Sequence, residues 1–146
     1  MPTAQNFKNH GRFDPMFHFV IAPATLANLA LSIYITVRDW PIHSRSHLWW
    51  IFMSIILFLL TFKLRSYPLA VQDRVIRLEE RLRYTTLLPI AVLEQANGLT
   101  LKQIIALRFA SDAELPALVT RAVTENLTPK QIKQSIVTWR PDYTRV

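Results

Sequence analysis

Residues 48–62 read LWWIFMSIILFLLTF, and residues 63–85 continue as KLRSYPLAVQDRVIRLEERLRYT. The first part carries no charge. With Ser46, His47, Leu64 and Ser66 at its edges it reaches the roughly 20 residues that a helix needs to cross a bilayer. Trp49 and Trp50 stand at one end, where amphipathic rings favour the membrane interface. Lys63 and Arg65 stand at the other, where aliphatic stems stay in lipid while the charges reach headgroups. A core helix of a soluble protein rarely opposes two Trp to a basic collar. The stretch therefore predicts a membrane span over 46–66. Its headgroup-facing residues are Trp49, Trp50, Lys63 and Arg65, with Arg74 further out.

The charged part predicts that the same helix continues into water as a stalk. Val71, Val75, Leu78 and Leu82 are spaced four, three and four apart, the seam of a coiled coil or of a docked helix. Leu64 falls seven residues before Val71. Asp73 with Arg77 and Glu79 with Arg83 are acid-before-base pairs at i,i+4 on the solvated side. Pro68 removes one backbone hydrogen bond and predicts a kink. The stripe needs cover, from other subunits or from the C-terminal helices, and Trp139 offers that contact a large anchor.

Upstream, Met16 to Val37 contains no charged residue and predicts a first span over 16–37. It is followed by Arg38, Asp39, Trp40 and Pro41 rather than by a small-residue cleavage motif, so it reads as retained. Pro23 falls in its first turns. Ala24, Asn28, Ser32 and Thr36 recur every four residues with Thr25 beside them. Small and hydroxyl side chains at this spacing let helices approach closely, which favours packing on the second span or a neighbouring copy over a polar path. The loop from Arg38 to His47 is short, which implies an antiparallel hairpin. It holds two Lys or Arg. The flanks hold eight, counting Lys8, Arg12 and the six from Lys63 to Arg83, which puts both termini in the cytoplasm. His43 and His47 lack a third ligand nearby and read as loop residues rather than a metal site.

After Tyr84, TTLLPIAVLEQANG reads as an apolar linker with a turn at Asn97-Gly98. Thr100 with Gln103, Ser111 with Glu114 and Thr128 with Gln131 each match a capping box, and Pro129 takes the favoured first helical position. Three short helices follow from these starts. Leu115, Leu118, Val119, Ala122 and Val123 share one face of the middle helix. Ile132, Ile136 and Trp139 share a face of the last, which Pro141 stops. LTLKQI at 99–104 echoes LTPKQI at 127–132, a reused helix start rather than a repeat array. So short a region buries only a thin core and needs the stalk or another subunit.

The expected fold is an all-α membrane protein. A polar tail covers 1–14, a transmembrane hairpin 15–66, a stalk helix with its linker 67–98, and a small cytosolic helical region 99–146. The net charge of +7 is spread along the chain rather than clustered. The chain has no Cys, which excludes disulfides, thiolate metal sites and thiol catalysis. There is no glycine-rich phosphate loop, nucleophile elbow, H-E-x-x-H motif or carboxylate cluster. No catalytic residue, cofactor or metal follows from the sequence.

RLEERLR at 77–83, LRFASDAELP at 107–116 and WRPDY at 139–143 together resemble a family of small uncharacterised bacterial membrane proteins with two spans. The resemblance covers most of the chain from Phe13 onward. It implies a bacterial inner-membrane protein and supplies no catalytic residues. Two functions are compatible with these residues. The favoured one is a non-enzymatic assembly or scaffold protein, with membrane lipids and further copies or a larger complex as partners; an oligomer enclosing a pore is a variant. The other is a membrane-tethered helix-turn-helix using Lys130, Lys133, Arg140 and Arg145 on phosphates. The C-terminal excess of seven basic over four acidic residues supports it only weakly.

Overall fold

The structure, a computed structural model, describes residues 5–9, 11 and 13–142. Those residues form a π-helical turn and six α-helices, with no strand beyond one isolated bridge. Two compact units are present, residues 13–69 and residues 70–146 together with 1–12.

In residues 13–69, the π-turn Phe17–Ile21 runs into α1, Ala22–Arg38. Pro23 explains the wide turn. It has no N–H to donate to Phe19, so the register loosens just ahead of it, and the Ala22 N–H reaches back five residues to the Phe17 carbonyl. Helix α2, Ser44–Leu87, starts after a short loop and is unbroken through Pro68. Both α1 with its π-turn and α2 are long and apolar enough to cross a membrane, and only 6% and 11% of their apolar windows are buried.

Contacts within this unit occur at two levels. Asn28 Nδ2 donates to Ser54 Oγ at 2.8 Å, and Ser32 Oγ lies 2.9 Å from the same atom. Toward the basic collar, Arg65 meets Asp14 at 3.2 Å, and Phe17 sets its ring edge-on to Phe62 at 5.9 Å. The most buried side chains here are Thr25, Thr36, Ser54 and Thr61, whereas most Leu, Ile and Phe and all the Trp side chains face outward. Hydroxyls can be inside because each helix satisfies them itself. Thr25 donates to the Ala22 carbonyl, Ser32 to Asn28, Thr36 to Ser32 and Thr61 to Leu57, at 2.7 to 3.0 Å.

The polar lane of α1 is phased differently from its four-residue spacing. Steps of four advance about 40° around a helix each time and leave any one seam. The covered positions alternate three and four: Thr25, Leu29, Ser32, Thr36. Ala24 is off the seam and exposed. Asn28 is also largely exposed, although its amide reaches Ser54.

Beyond α2 the described residues hold four short helices, one more than the sequence predicted. Pro89 bars Leu88 from the α-region and ends α2. It then caps α3, Ile90–Ala96, so the expected linker is largely helical. Helices α4, Leu101–Leu107, and α6, Pro129–Ser135, both start on complete capping boxes, Thr100 with Gln103 and Thr128 with Gln131. Gln103 Nε2 also donates to the Leu127 carbonyl at 2.9 Å, which ties the two echoed helix starts together.

Helix α5, Leu115–Thr124, buries the expected face, with Leu115, Leu118, Val119 and Ala122 inside. Tyr84 of α2 and Leu88 just after it join this core with Phe109 and Ile132. Ile136 and Trp139 pack there too, but not from a helix. Helix α6 stops at Ser135, and the chain runs extended to a bridge between Ala110 and Trp139. Glu114 accounts for that ending. Its carboxylate accepts the backbone N–H groups of Ser111, Val137 and Thr138 at 3.1 to 3.2 Å, so it serves the strand-like tail as well as half of its own capping box.

Ser54 tests the packing in residues 13–69. Ser54→Leu should lower the melting temperature of the detergent-solubilised protein markedly, because a 2% exposed hydroxyl leaves no room for an isobutyl group. Ser54→Ala should cost no more than about 0.5–1.5 kcal/mol, the usual net contribution of one hydrogen bond. Similar melting temperatures for the two variants would contradict the observed seam.

Candidate functional site

In residues 70–146 the structure brings together three segments that are far apart in sequence. Glu80 and Arg83 come from α2, Arg108 and Asp112 from the end of α4 and its following turn, and Arg140 and Asp142 from the extended tail. They line a cleft of about 680 Å³. These residues belong to RLEERLR, LRFASDAELP and WRPDY. Tyr143, like Arg12 and Arg145, lies outside the described residues.

The charges are arranged as a chain of pairs. Arg83 spans from Glu80, at 3.1 Å, to Asp112, at 2.6 Å, and its Nη2 also donates to the Ala110 carbonyl at 2.7 Å. Arg140 lies 3.5 Å from the second Glu80 oxygen. Arg108 lies 3.0 Å from Asp142, whose backbone exchanges two hydrogen bonds with the Gln5 side chain, at 2.9 and 3.0 Å. The segment read as a polar tail thus contributes a residue to this unit.

Glu80 is only 4% exposed. Burial pushes its carboxyl above the ordinary 4.5, against the pull of Arg83 and Arg140. Burial and the neighbouring Glu80 also push the Tyr84 phenol up, so it is protonated at neutral pH. With Glu80, Asp112 and Asp142 matched to guanidinium groups, this cleft fastens the tail to the helices; Glu79, also on its lining, joins no ion pair among the described residues. Among the described residues no group of three or more His, Cys, Asp or Glu could hold a metal ion.

The stalk stripe lies elsewhere on α2. Val71, Val75, Leu78 and Leu82 are 46% to 70% exposed, while Ile76, Glu80, Tyr84 and Leu88 are buried. The C-terminal helices therefore pack on a different face and leave the stripe open. The expected Glu79–Arg83 pair does not form, because Arg83 turns to Glu80 and Asp112. Asp73 and Arg77 form no ion pair among the described residues either.

At the collar, Arg65 is held by Asp14 and lies 5.5 Å from the Phe17 ring centre. Lys63 lies 5.6 Å from the Tyr67 ring centre. Trp49, Trp50 and Arg74 are exposed. Trp139 is packed at 5.1 Å on Phe109, a core contact within this unit. His43 and His47 meet edge-on at 6.2 Å. Sequence reasoning noticed the three motifs but not their convergence; the repeated pairing of Arg with Asp or Glu within them was the available signal.

These features define an all-helical protein with two helices long and apolar enough to cross a membrane. The chain belongs to DUF6526, a family of unknown function, which it matches over residues 1–146. No curated protein and no solved structure matches it.

The raised Glu80 carboxyl gives a signed pH dependence. Between its unfolded and folded pKa values the folded state holds the extra proton, so stability falls as pH rises through that window above 4.5. Glu80→Gln should remove this part of the slope. Melting temperatures of both proteins across the window should diverge as pH rises, with the wild type losing ground. Parallel curves would contradict the assignment.

Proposed function

We propose that the chain is a non-enzymatic assembly or scaffold protein of a bacterial inner membrane. An antiparallel two-span hairpin anchors it, and both termini face the cytoplasm. The stalk and cytosolic helices form the part that engages further copies of the chain or a larger membrane complex. No cofactor enters this reading.

The supporting observation for the membrane is inverted polarity. Residues 13–69 bury Thr25, Thr36, Ser54 and Thr61 and expose most of their Leu, Ile, Phe and Trp side chains. Water would penalise that surface heavily, whereas lipid does not, and close packing between helices in lipid favours small residues. Lys63, which joins no ion pair among the described residues, is the collar residue that reaches headgroups. Arg65 is committed to Asp14 and acts as a clamp.

The supporting observation for assembly is the exposed stripe. Burying each of its four side chains is worth roughly 1.5–3 kcal/mol. Nucleic-acid binding is the weaker reading. Arg140 faces Glu80, Arg121 faces Glu125 at 3.1 Å, and the Lys133 ammonium lies 5.7 Å from the Phe109 ring.

The chain has no Cys, so single thiols report topology directly. Ser44→Cys and Ser135→Cys should label from opposite sides of the membrane; labelling from one side would refute the hairpin. Native mass spectrometry of the detergent-solubilised protein should give a multiple of the 17.0 kDa chain. Val75→Ser with Leu78→Ser should lower that mass while the spans stay inserted. A single-chain mass for the wild type would refute self-assembly.

A further inference from the structure

We infer that the occupant of the stalk stripe is a second copy of this chain, lying parallel to the first, with Arg74 of each helix paired to the partner's Glu79. The inference rests on the assembly reading above and adds its direction, register and specificity.

The 4-3-4 spacing puts Val71 and Leu78 at d positions and Val75 and Leu82 at a positions of a heptad. Arg74 and Arg81 then flank the seam on the g side, and Gln72, Glu79 and Thr86 flank it on the e side. In a parallel pair each g residue meets the e residue five positions further along the partner. Arg74 therefore meets Glu79, twice by symmetry. Arg81 meets Thr86 and Tyr67 meets Gln72, so no like charges oppose one another. An antiparallel pair sets g against g and brings Arg74 against Arg81.

The structure leaves this pair available. Arg74 and Glu79 are both exposed. Neither joins an ion pair among the described residues. Glu79 is unpaired because Arg83, its helical neighbour at i+4, is committed to Glu80 and Asp112. The central layers place a β-branched residue, Val75, at a and Leu78 at d, the combination that favours two strands. Two copies inserted with the same topology present their stalks in the same direction, as this pairing requires.

The test uses charge reversal in the full-length protein, reconstituted in vesicles and carrying Val75→Cys as a cross-linking reporter. Arg74→Glu alone and Glu79→Arg alone should each weaken self-association about tenfold, since two attractive contacts become two repulsive ones. Mixing the two variants should restore cross-linking to the wild-type level as a heterodimer, because each chain then supplies what the other lacks. The double reversal within one chain should restore it as well. Both sites are exposed, and unchanged helix content by circular dichroism checks that folding is kept. Undiminished cross-linking in both single variants, or no rescue on mixing, would overturn the parallel register while leaving an oligomer intact. A wild-type protein that runs as one chain would overturn the assembly reading itself.

Discussion

The Glu80 carboxylate fixes which side of α2 turns inward in residues 70–146. It is taken out of water with Arg83 and Arg140 as its partners. Turning the helix by one residue, about 100°, would bring Val75 toward the place of Ile76 and leave a carboxylate or a guanidinium without its mate. A buried ion pair contributes little net stability against an apolar replacement, but breaking one by misalignment is costly. The pair therefore selects a rotation more than it supplies energy. One consequence is that Val71, Val75, Leu78 and Leu82 are held outward. Their exposure follows from how the rest of the unit is fastened.

The same fastening explains the tail. Residues 136–142 have no helix to satisfy their backbone, and Glu114, Phe109 and Ser111 do so instead. Glu114 accepts two tail N–H groups, the Arg140 N–H reaches the Phe109 carbonyl at 2.8 Å, and Ser111 N–H reaches Thr138 at 3.1 Å. Arg140 and Asp142 then add ionic contacts at defined places. A short extended segment with few apolar residues is difficult to hold by hydrophobic burial alone. Here Trp139 supplies the apolar anchor, and charge supplies the alignment.

Local signals were legible in the sequence and long-range ones were not. Two capping boxes and the buried face of α5 follow from spacing within a few residues, and the structure contains them. The apolar runs likewise mark where the two long helices lie. Helix α3 was read as a linker because Pro89 and Asn97-Gly98 bracket it, although seven residues between breakers suffice for two turns. The end of α6 was missed because Ile132, Ile136 and Trp139 fit a helical face, while the competing partner of those backbone groups, Glu114, lies more than twenty residues upstream. The ionic cleft was missed for the same reason. The i,i+4 rule points Arg83 to Glu79, and nothing in periodicity reveals Asp112 or the Ala110 carbonyl.

Residues 13–69 solve a different problem with different means. On the proposed membrane reading, apolar side chains gain nothing by hiding from lipid, so these helices would not be held together by the hydrophobic effect. Close approach is available instead, and it requires small side chains along one seam. Hydroxyls are suited to that role because each can return its hydrogen bond to its own helix, three or four residues back, and so carries no unsatisfied donor into the contact. Ser54 is the exception that adds direction, since it also meets Asn28 and Ser32 across the seam. At the collar the Asp14–Arg65 pair adds a second fixed point, 11 residues from Ser54 along α2. Two separated polar contacts determine both the sliding and the rotation of one helix against another; either alone would leave one of these free. The alternation of three and four along Thr25, Leu29, Ser32 and Thr36 keeps the covered positions of α1 on one seam, and a lane of strict fours could not have done so.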